Sequence, residues 1–525
     1  MTVRCAWGTN VDPAPPGTTL TGSKGNRILR QIATTARLAG LMLLGGCTVM
    51  GPNFIAPKPD TPAHFATASP TGKQSVPTPE PFDAAWWTLL GDPTLTALQG
   101  RLAKGNLDLR AASFRLVQAR AQLGVVAAAA GPTVNANGSF TRDQQSRLGV
   151  LALSSSNSAT NANGLGGRSS TRNGIFQPYD LFQYGFDVAW EADLWGRVAR
   201  MIESGAATAE ASAEARHEIE VSASAELARD YVQLRGVQRK LAITRENLGI
   251  ARQSLGLTRE RAAGGVTTDL DVANAAAQVE IVAAQIPSLE SQQAELMNAI
   301  ALLLGEQPRT LETDLAAPRG VPPVPPKVPV GLPSELARRR PDIRRAEAQL
   351  HAATADIGVA TADFYPRFTL SGSGAIQGLQ FRNLADWAAH TYSFGPSVTL
   401  PIFEGGRLKA TLALREAAQQ EAALNYQKTL LVAMHDVDNA LTAYEAEQRR
   451  RDRLAAAVTQ NRRALSLARM RYEQGVTDFL QVLLAQQNLL AADQALADST
   501  TTVTTNMVQL YKSLGGGWQQ DGSGG

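Results

Sequence analysis

Residues 471–484 read Arg-Tyr-Glu-Gln-Gly-Val-Thr-Asp-Phe-Leu-Gln-Val-Leu-Leu, and residues 261–274 read Arg-Ala-Ala-Gly-Gly-Val-Thr-Thr-Asp-Leu-Asp-Val-Ala-Asn. An offset of 210 lays Arg261 on Arg471, Gly265-Val266-Thr267 on Gly475-Val476-Thr477, Leu270 on Leu480 and Val272 on Val482, and further upstream Gly196-Arg197 on Gly406-Arg407. Nearer the start the offset is 234: Asp108-Leu109-Arg110 falls on Asp342-Ile343-Arg344, Leu123-Gly124-Val125 on Ile357-Gly358-Val359, and Pro132 on Pro366. The offset drops by 24 (234 − 210) between Pro132 and Gly196, so the first copy carries an insertion there. Self-similarity on this scale marks a duplicated domain-sized unit, whose copies pack as pseudo-equivalent partners.

From Arg407 to Gln474 there is neither Gly nor Pro, and from Val476 to Leu514 again none. This is a helical hairpin turning at Gly475, with a first arm that reaches on the order of 100 Å at about 1.5 Å per residue. One compact core cannot stabilise such a helix, so it must run along its neighbours as a coiled coil. Leu430, Met434, Val437, Leu441 and Tyr444 advance by alternate steps of four and three and keep one apolar seam facing a partner. Ala417-Ala418 and Ala455-Ala456-Ala457 combine helix propensity with close approach of neighbouring axes. The first copy repeats the pattern from Arg197 to Ala263 and turns at Gly264-Gly265.

Between the helices lie segments of period two, the mark of strands with two unlike faces. Tyr184, Phe186, Val188 and Trp190 interleave with Gly185, Asp187, Ala189 and Glu191. In the second copy Phe368 and Leu370 alternate with Arg367, Thr369 and Ser371, and Val398, Leu400 and Ile402 with Ser397, Thr399 and Pro401. With Val134 to Phe140, that predicts two strands per copy and four per chain. The aromatic face points to a transmembrane β-strand; a small soluble sheet packed on the helices is the plainer alternative. Four strands cannot close a barrel, and an open edge in lipid leaves backbone groups unsatisfied. A barrel must then be shared: two chains reach the minimum of about eight strands, and three leave a wider lumen. The insertion, with Ser154-Ser155-Ser156-Asn157 and Asn161-Ala162-Asn163-Gly164, reads as a long loop joining two strands.

Lys24, Arg27, Arg30 and Arg37 precede the apolar stretch Leu38 to Leu44, which ends in Gly45-Gly46-Cys47. That is a secretory leader, too short to span a bilayer, which takes roughly 20 apolar residues. Without residues 1–46 the 50 basic residues become 45 and the 47 acidic ones 46, a formal charge of −1. The basic balance belongs to the leader, which leaves no case for nucleic acid. Arg338-Arg339-Arg340 and Arg449-Arg450-Arg451 read as solvated helix faces. The sequence thus divides into a leader (1–46), a first repeat (47–320), a second repeat (321–514) and a Gly-rich tail (515–525), expected to be flexible.

Leu44-Gly45-Gly46-Cys47 resembles a bacterial lipobox, which implies lipidation of Cys47. The chain as a whole resembles the lipoprotein branch of the outer-membrane factor family, the outer-membrane channels of tripartite efflux pumps. The stretches that carry the resemblance are Cys47 to Phe54, Trp86-Trp87, Trp190 to Arg197, Arg340-Pro341-Asp342-Ile343 with Ala346-Glu347, Ile357-Gly358, Phe364-Tyr365-Pro366, Arg471-Tyr472 and Gly475-Val476-Thr477. It implies a homotrimer with a twelve-stranded barrel and a periplasmic tunnel of paired helices. The implied partners are a periplasmic adaptor, a proton-driven inner-membrane transporter and outer-membrane lipid. Gly264, Gly265, Val266, Thr267, Gly475, Val476 and Thr477 match the tips that meet the adaptor, although turn chemistry alone also accounts for the glycines. Arg471, Tyr472, Leu480 and Leu484 match the periplasmic aperture, the first two as a polar latch and Leu480 as an apolar constriction. Leu484 departs from the family, where many members carry an aspartate that makes an acidic ring. Asp478 is the substitute acid, or only a helix cap.

No catalytic constellation emerges: His64, His217, His351, His390 and His435 are dispersed, and there is no phosphate-cradling glycine motif and no metal-ligand cluster. The expectation is a passive gated conduit without cofactor or enzymatic activity, driven by a partner. A type I secretion duct shares the fold, and a coiled-coil envelope lipoprotein is the alternative from another class.

Overall fold

The computed structural model of the chain describes residues 49–58, 62, 65, 75–81, 83–144, 146 and 178–518. Met50 onward forms one compact unit. The leader, Cys47, most of the insertion and the last seven residues lie outside the described residues. Seven helices dominate: α1 (Pro93–Gly105), α2 (Leu107–Ala127), α3 (Arg197–Ala263), α4 (Asp269–Leu303), α5 (Pro341–Ala362), α6 (Arg407–Glu473) and α7 (Phe479–Ser513). The duplication is visible in their lengths. The long arms α3 and α6 have 67 residues each, and the returning arms α4 and α7 have 35 each.

At about 1.5 Å per residue the long arms extend on the order of 100 Å. They are held by lateral packing: α6 lies on α7, α3 on α4, α7 on α3, and the shorter α2 and α5 flank α3. The predicted seam is in place, with Leu430, Val437, Leu441 and Tyr444 buried and Met434 packed against them. Midway along, non-helical segments strap the bundle. A short parallel pair of strands, β1 (Val76–Thr78) and β4 (Lys327–Pro329), was not foreseen, and the segments at Ser75 and Leu315 are held from matching helix positions. In the first copy Gln238 Nε2–H donates to Leu315 O at 2.7 Å, and in the second Gln448 Oε1 accepts from Ser75 N–H at 3.2 Å. These two glutamines are again 210 apart.

Four strands form an antiparallel sheet in the order β2 (Thr133–Asp143), β3 (Tyr179–Ala192), β5 (Arg367–Gly378), β6 (His390–Thr399). Each copy supplies one hairpin, and the two join where β3 pairs with β5, from Phe182↔Gly378 to Ala192↔Phe368. The last strand lies upstream of the segment predicted, and Leu400 to Ile402 fall outside it. Pro401 has no N–H to give to a ladder, which accounts for the early end.

Two ends of the described chain are packed. Met50 N–H donates to Trp195 O at 3.0 Å, and the buried Arg200 donates to Met50 O at 3.1 Å and to Asn53 Oδ1 at 2.7 Å. Phe54 stacks on His351 at 4.4 Å. At the other end, residues 515–518 differ from the flexible tail expected. Trp518 stacks on His217 at 4.4 Å, Arg344 covers its ring, and its Nε1–H donates to Arg339 O at 2.9 Å. Gly515 has φ +76, and a Cβ there would lie 2.9 Å from Arg339 O. The glycines thus permit a close turn that delivers the indole to its slot.

Candidate functional site

Two regions carry candidate functional residues: the hairpin tips and the sheet. Both tips are built alike. Gly265 and Gly475 have φ +73 and +74, a conformation glycine adopts without steric cost. Val266 N–H donates to Arg261 O and Val476 N–H to Arg471 O, each at 2.9 Å. Each turn therefore closes on the carbonyls of the helix it ends, and each displays an apolar residue: Val266 is 65% exposed and Val476 61%. Leu270, Leu480 (49%) and Leu484 (45%) add to this surface, and large apolar groups left in water mark contact surfaces.

Within that shared frame the side chains differ. The first tip is locked by a capping box: Thr268 Oγ1 accepts from Asp271 N–H, and the Asp271 carboxylate accepts from Thr268 N–H. The matching Asp478 occupies the N-cap of α7 with an extended backbone, yet its side chain makes no capping bond. The expectation that Asp478 caps that helix is not met, and it stands exposed. Tyr472 was expected beside Arg471 as a polar group facing a neighbouring helix. Its ring is instead only 3% exposed, edge-on to Phe479 at 5.6 Å, with the Arg261 guanidinium 4.7 Å from its centroid. Its hydroxyl has no partner among the described residues. Arg261 Nη1–H also donates to Glu473 O at 3.1 Å, which ties the first tip to the second. Sequence reasoning missed that tie, because Arg261 and Arg471 are indistinguishable in spacing. Arg471 is exposed, as are Leu480 and Leu484, which lie one turn apart on a single face of α7.

The sheet separates its faces cleanly. The paired rows Val134/Val188/Gly372/Phe394, Ala136/Phe186/Gly374/Tyr392 and Phe140/Phe182/Gly378 put apolar or small residues on one side, joined by Trp190/Leu370/Pro396 and Phe368/Val398. Phe186 is 62% exposed. The other side carries Asn135, Asn137, Ser139, Gln183, Asp187, Ser371, Ser373, Ser393 and Ser397. From Phe182 to Trp190 the apolar face spans eight residue steps, about 26 Å along the strand, which matches the roughly 25 Å band of an outer-membrane barrel. Both outer strands, β2 and β6, have one unpaired edge. Among the described residues no helix is long and apolar enough to cross a membrane, and no group of His, Cys, Asp and Glu is placed to hold a metal.

The comparisons agree with this geometry. The profile of the outer membrane efflux protein family matches residues 98–306 and 332–516. The chain is 32% identical over 483 residues to outer membrane protein OprJ of Pseudomonas aeruginosa, covering 91% of this chain and 95% of the relative. It is 31% identical over 503 residues to the antibiotic efflux pump outer membrane protein ArpC of Pseudomonas putida, covering 94% and 96%. Among solved structures, the outer-membrane channel OprN superposes with a TM-score of 0.80 at 34% identity, covering 90% of this chain and all of that one.

Proposed function

The chain belongs to the outer membrane efflux protein family, and we propose that it is the outer-membrane conduit of a tripartite efflux pump, three copies of which close one barrel and pass small toxic compounds outward. The observation that carries this reading is the four-stranded sheet, apolar on one face, polar on the other, with both edges unpaired. Such edges cannot stand in lipid, so β6 of one copy must pair with β2 of the next. Two copies would give eight strands, an interior just filled by side chains, whereas three give twelve strands and room for a lumen. The likeness to an antibiotic efflux pump component supports the cargo class. No driving chemistry is assigned to this chain, so an inner-membrane transporter supplies energy and a periplasmic adaptor bridges to it.

The adaptor contact falls on Gly264, Gly265, Val266, Thr267, Gly475, Val476 and Thr477, supported by the exposed valines at both tips. The periplasmic aperture falls on Arg471, Leu480 and Leu484, with Tyr472 supporting it from within and Asp478 as the nearby acid. Leu484 gives this aperture an apolar ring. Cys47, three residues before Met50, is the lipidated residue that adds an anchor to the barrel. The reading divides the chain as 1–46, 47–320 and 321–514, with 515–525 as a tail.

The test is the particle mass of protein extracted from outer-membrane vesicles in detergent, corrected for bound detergent. A mass three times that of the mature chain is expected. A monomer would contradict the shared barrel.

A further inference from the structure

Strand register places a continuous polar row across the sheet. Asn135 pairs with Asp187, Asp187 with Ser373, and Ser373 with Ser393. Within the row the Ser373 and Ser393 hydroxyls are 2.9 Å apart, and Asn137, opposite Gly185 in the next row of the same face, donates its Nδ2–H diagonally to the Asp187 carboxylate. The other charges on this face lie at its ends. Glu191 and Arg367 stand at the helix end, each bound to an opposite charge, Arg197 at 2.6 Å and Asp363 at 2.5 Å. Asp143 stands at the loop end, where it accepts from Thr141. Arg142 and Asp180 pair at 3.5 Å beyond the apolar belt on the opposite face. Among the described residues, Asp187 is thus the one charge in the middle of the polar face, and its partner there is a neutral amide.

We propose that Asp187 is the residue that sets the ionic preference of the barrel. The inference rests on the shared-barrel reading, in which the polar face lines the lumen and three copies of Asp187 form a ring. Rings of carboxylates in a pore favour cations, and low-dielectric walls focus their field. The remaining lining groups in that row are amide and hydroxyl, which carry no net charge to offset it. The ring acts within the barrel, apart from the aperture, where Leu480 and Leu484 are apolar and the exposed Arg471 and Asp478 carry opposite charges. Cationic or protonated amphipathic compounds pass this ring more readily than anionic ones of the same size.

The substitution Asp187→Asn removes the charge and keeps a carbonyl oxygen to accept from Asn137, so the sheet contact survives. The wild-type oligomer and this variant are reconstituted in planar bilayers under a potassium chloride gradient with about 0.1 M salt on the dilute side, where a charge acts over about 10 Å. The wild type is expected to prefer potassium over chloride, and Asp187→Asn to lower that permeability ratio at least roughly twofold. Asp187→Glu is expected to keep it. Moving the acid along the same row, by adding Ser373→Asp to Asp187→Asn, is expected to restore it. A conducting wild type whose preference is unchanged in Asp187→Asn overturns the assignment and leaves the conduit reading intact. A well-folded wild type that never conducts overturns the conduit reading, and the assignment falls with it.

Discussion

The two hairpin tips share a backbone and differ in how they are held. At the first tip the capping box of Thr268 and Asp271 secures the start of α4, and Ala262 stands where the second copy has Tyr472. At the second tip no side chain caps α7, and Tyr472 packs on Phe479 to hold the turn from within. Duplication thus preserved the fold of the turn while its anchoring moved from hydrogen bonds to aromatic packing. That exchange leaves Asp478, Leu480 and Leu484 of the second tip exposed, in keeping with the aperture role proposed for them. Arg261 then couples the copies, reaching from the first tip to the ring and backbone of the second.

The comparison can be broken most readily at its aromatic. Tyr472→Ala should cost about 3–5 kcal/mol of local stability at the second tip, read as faster amide exchange over residues 472–482 with residues 262–272 unchanged. Equal loosening of both tips would mean that they open as one unit. Placing Val at Gly265 or at Gly475 should cost about 1–2 kcal/mol at either position, since both need a left-handed backbone. Unequal costs, by the same exchange measurement, would show that the turns are less alike than their hydrogen bonds suggest. Thr268→Ala should cost about 1 kcal/mol, whereas Asp478→Ala should leave exchange at its own tip unchanged. A matching loss at Asp478 would reveal a cap in solution.

A smaller effect is expected far from the tips, where Glu203 joins the buried Arg200 to His351. Burial works against its ionised form, but hydrogen bonds from His351 and Arg200 outweigh burial and hold its pKa below the ordinary 4.5. A lowered carboxylate pKa stabilises the fold above the unfolded value, and that contribution is lost as pH falls through the folded value. Proteolytic protection of the Met50–Phe54 segment should hold near neutral pH and weaken as acid titrates Glu203. Equal weakening in Glu203→Gln would assign the loss to other groups.

The parts of the fold legible in the sequence were those written as a period. The Gly- and Pro-free runs gave α6 and α7, and the alternation around Tyr184 and Trp190 gave β3 with its apolar face. Pairing between distant residues left no such trace. The Arg261 contact with Glu473 spans 212 positions, and the Trp518 contact with Arg339 spans 179. An indole in a glycine-rich tail was the only available sign of the latter, because burying so large an apolar group offsets the entropy of ordering the glycines around it. The tips were found through their glycines and valines. Which of their charged and aromatic residues face inward depends on packing between the copies, and Tyr472 illustrates it: by the family resemblance a polar latch beside Arg471, in the fold a core residue beneath Arg261.

The central claim, that open edges of this sheet pair between copies, is tested most directly by cysteine pairs placed on β2 and β6 in the full-length protein in outer-membrane vesicles. With single cysteines scanned over Thr133–Asp143 and His390–Thr399, oxidation should link β2 of one copy to β6 of another along a consistent antiparallel register and close at a covalent trimer. Disulfides that form only within a chain, or none at any register, would contradict the shared barrel.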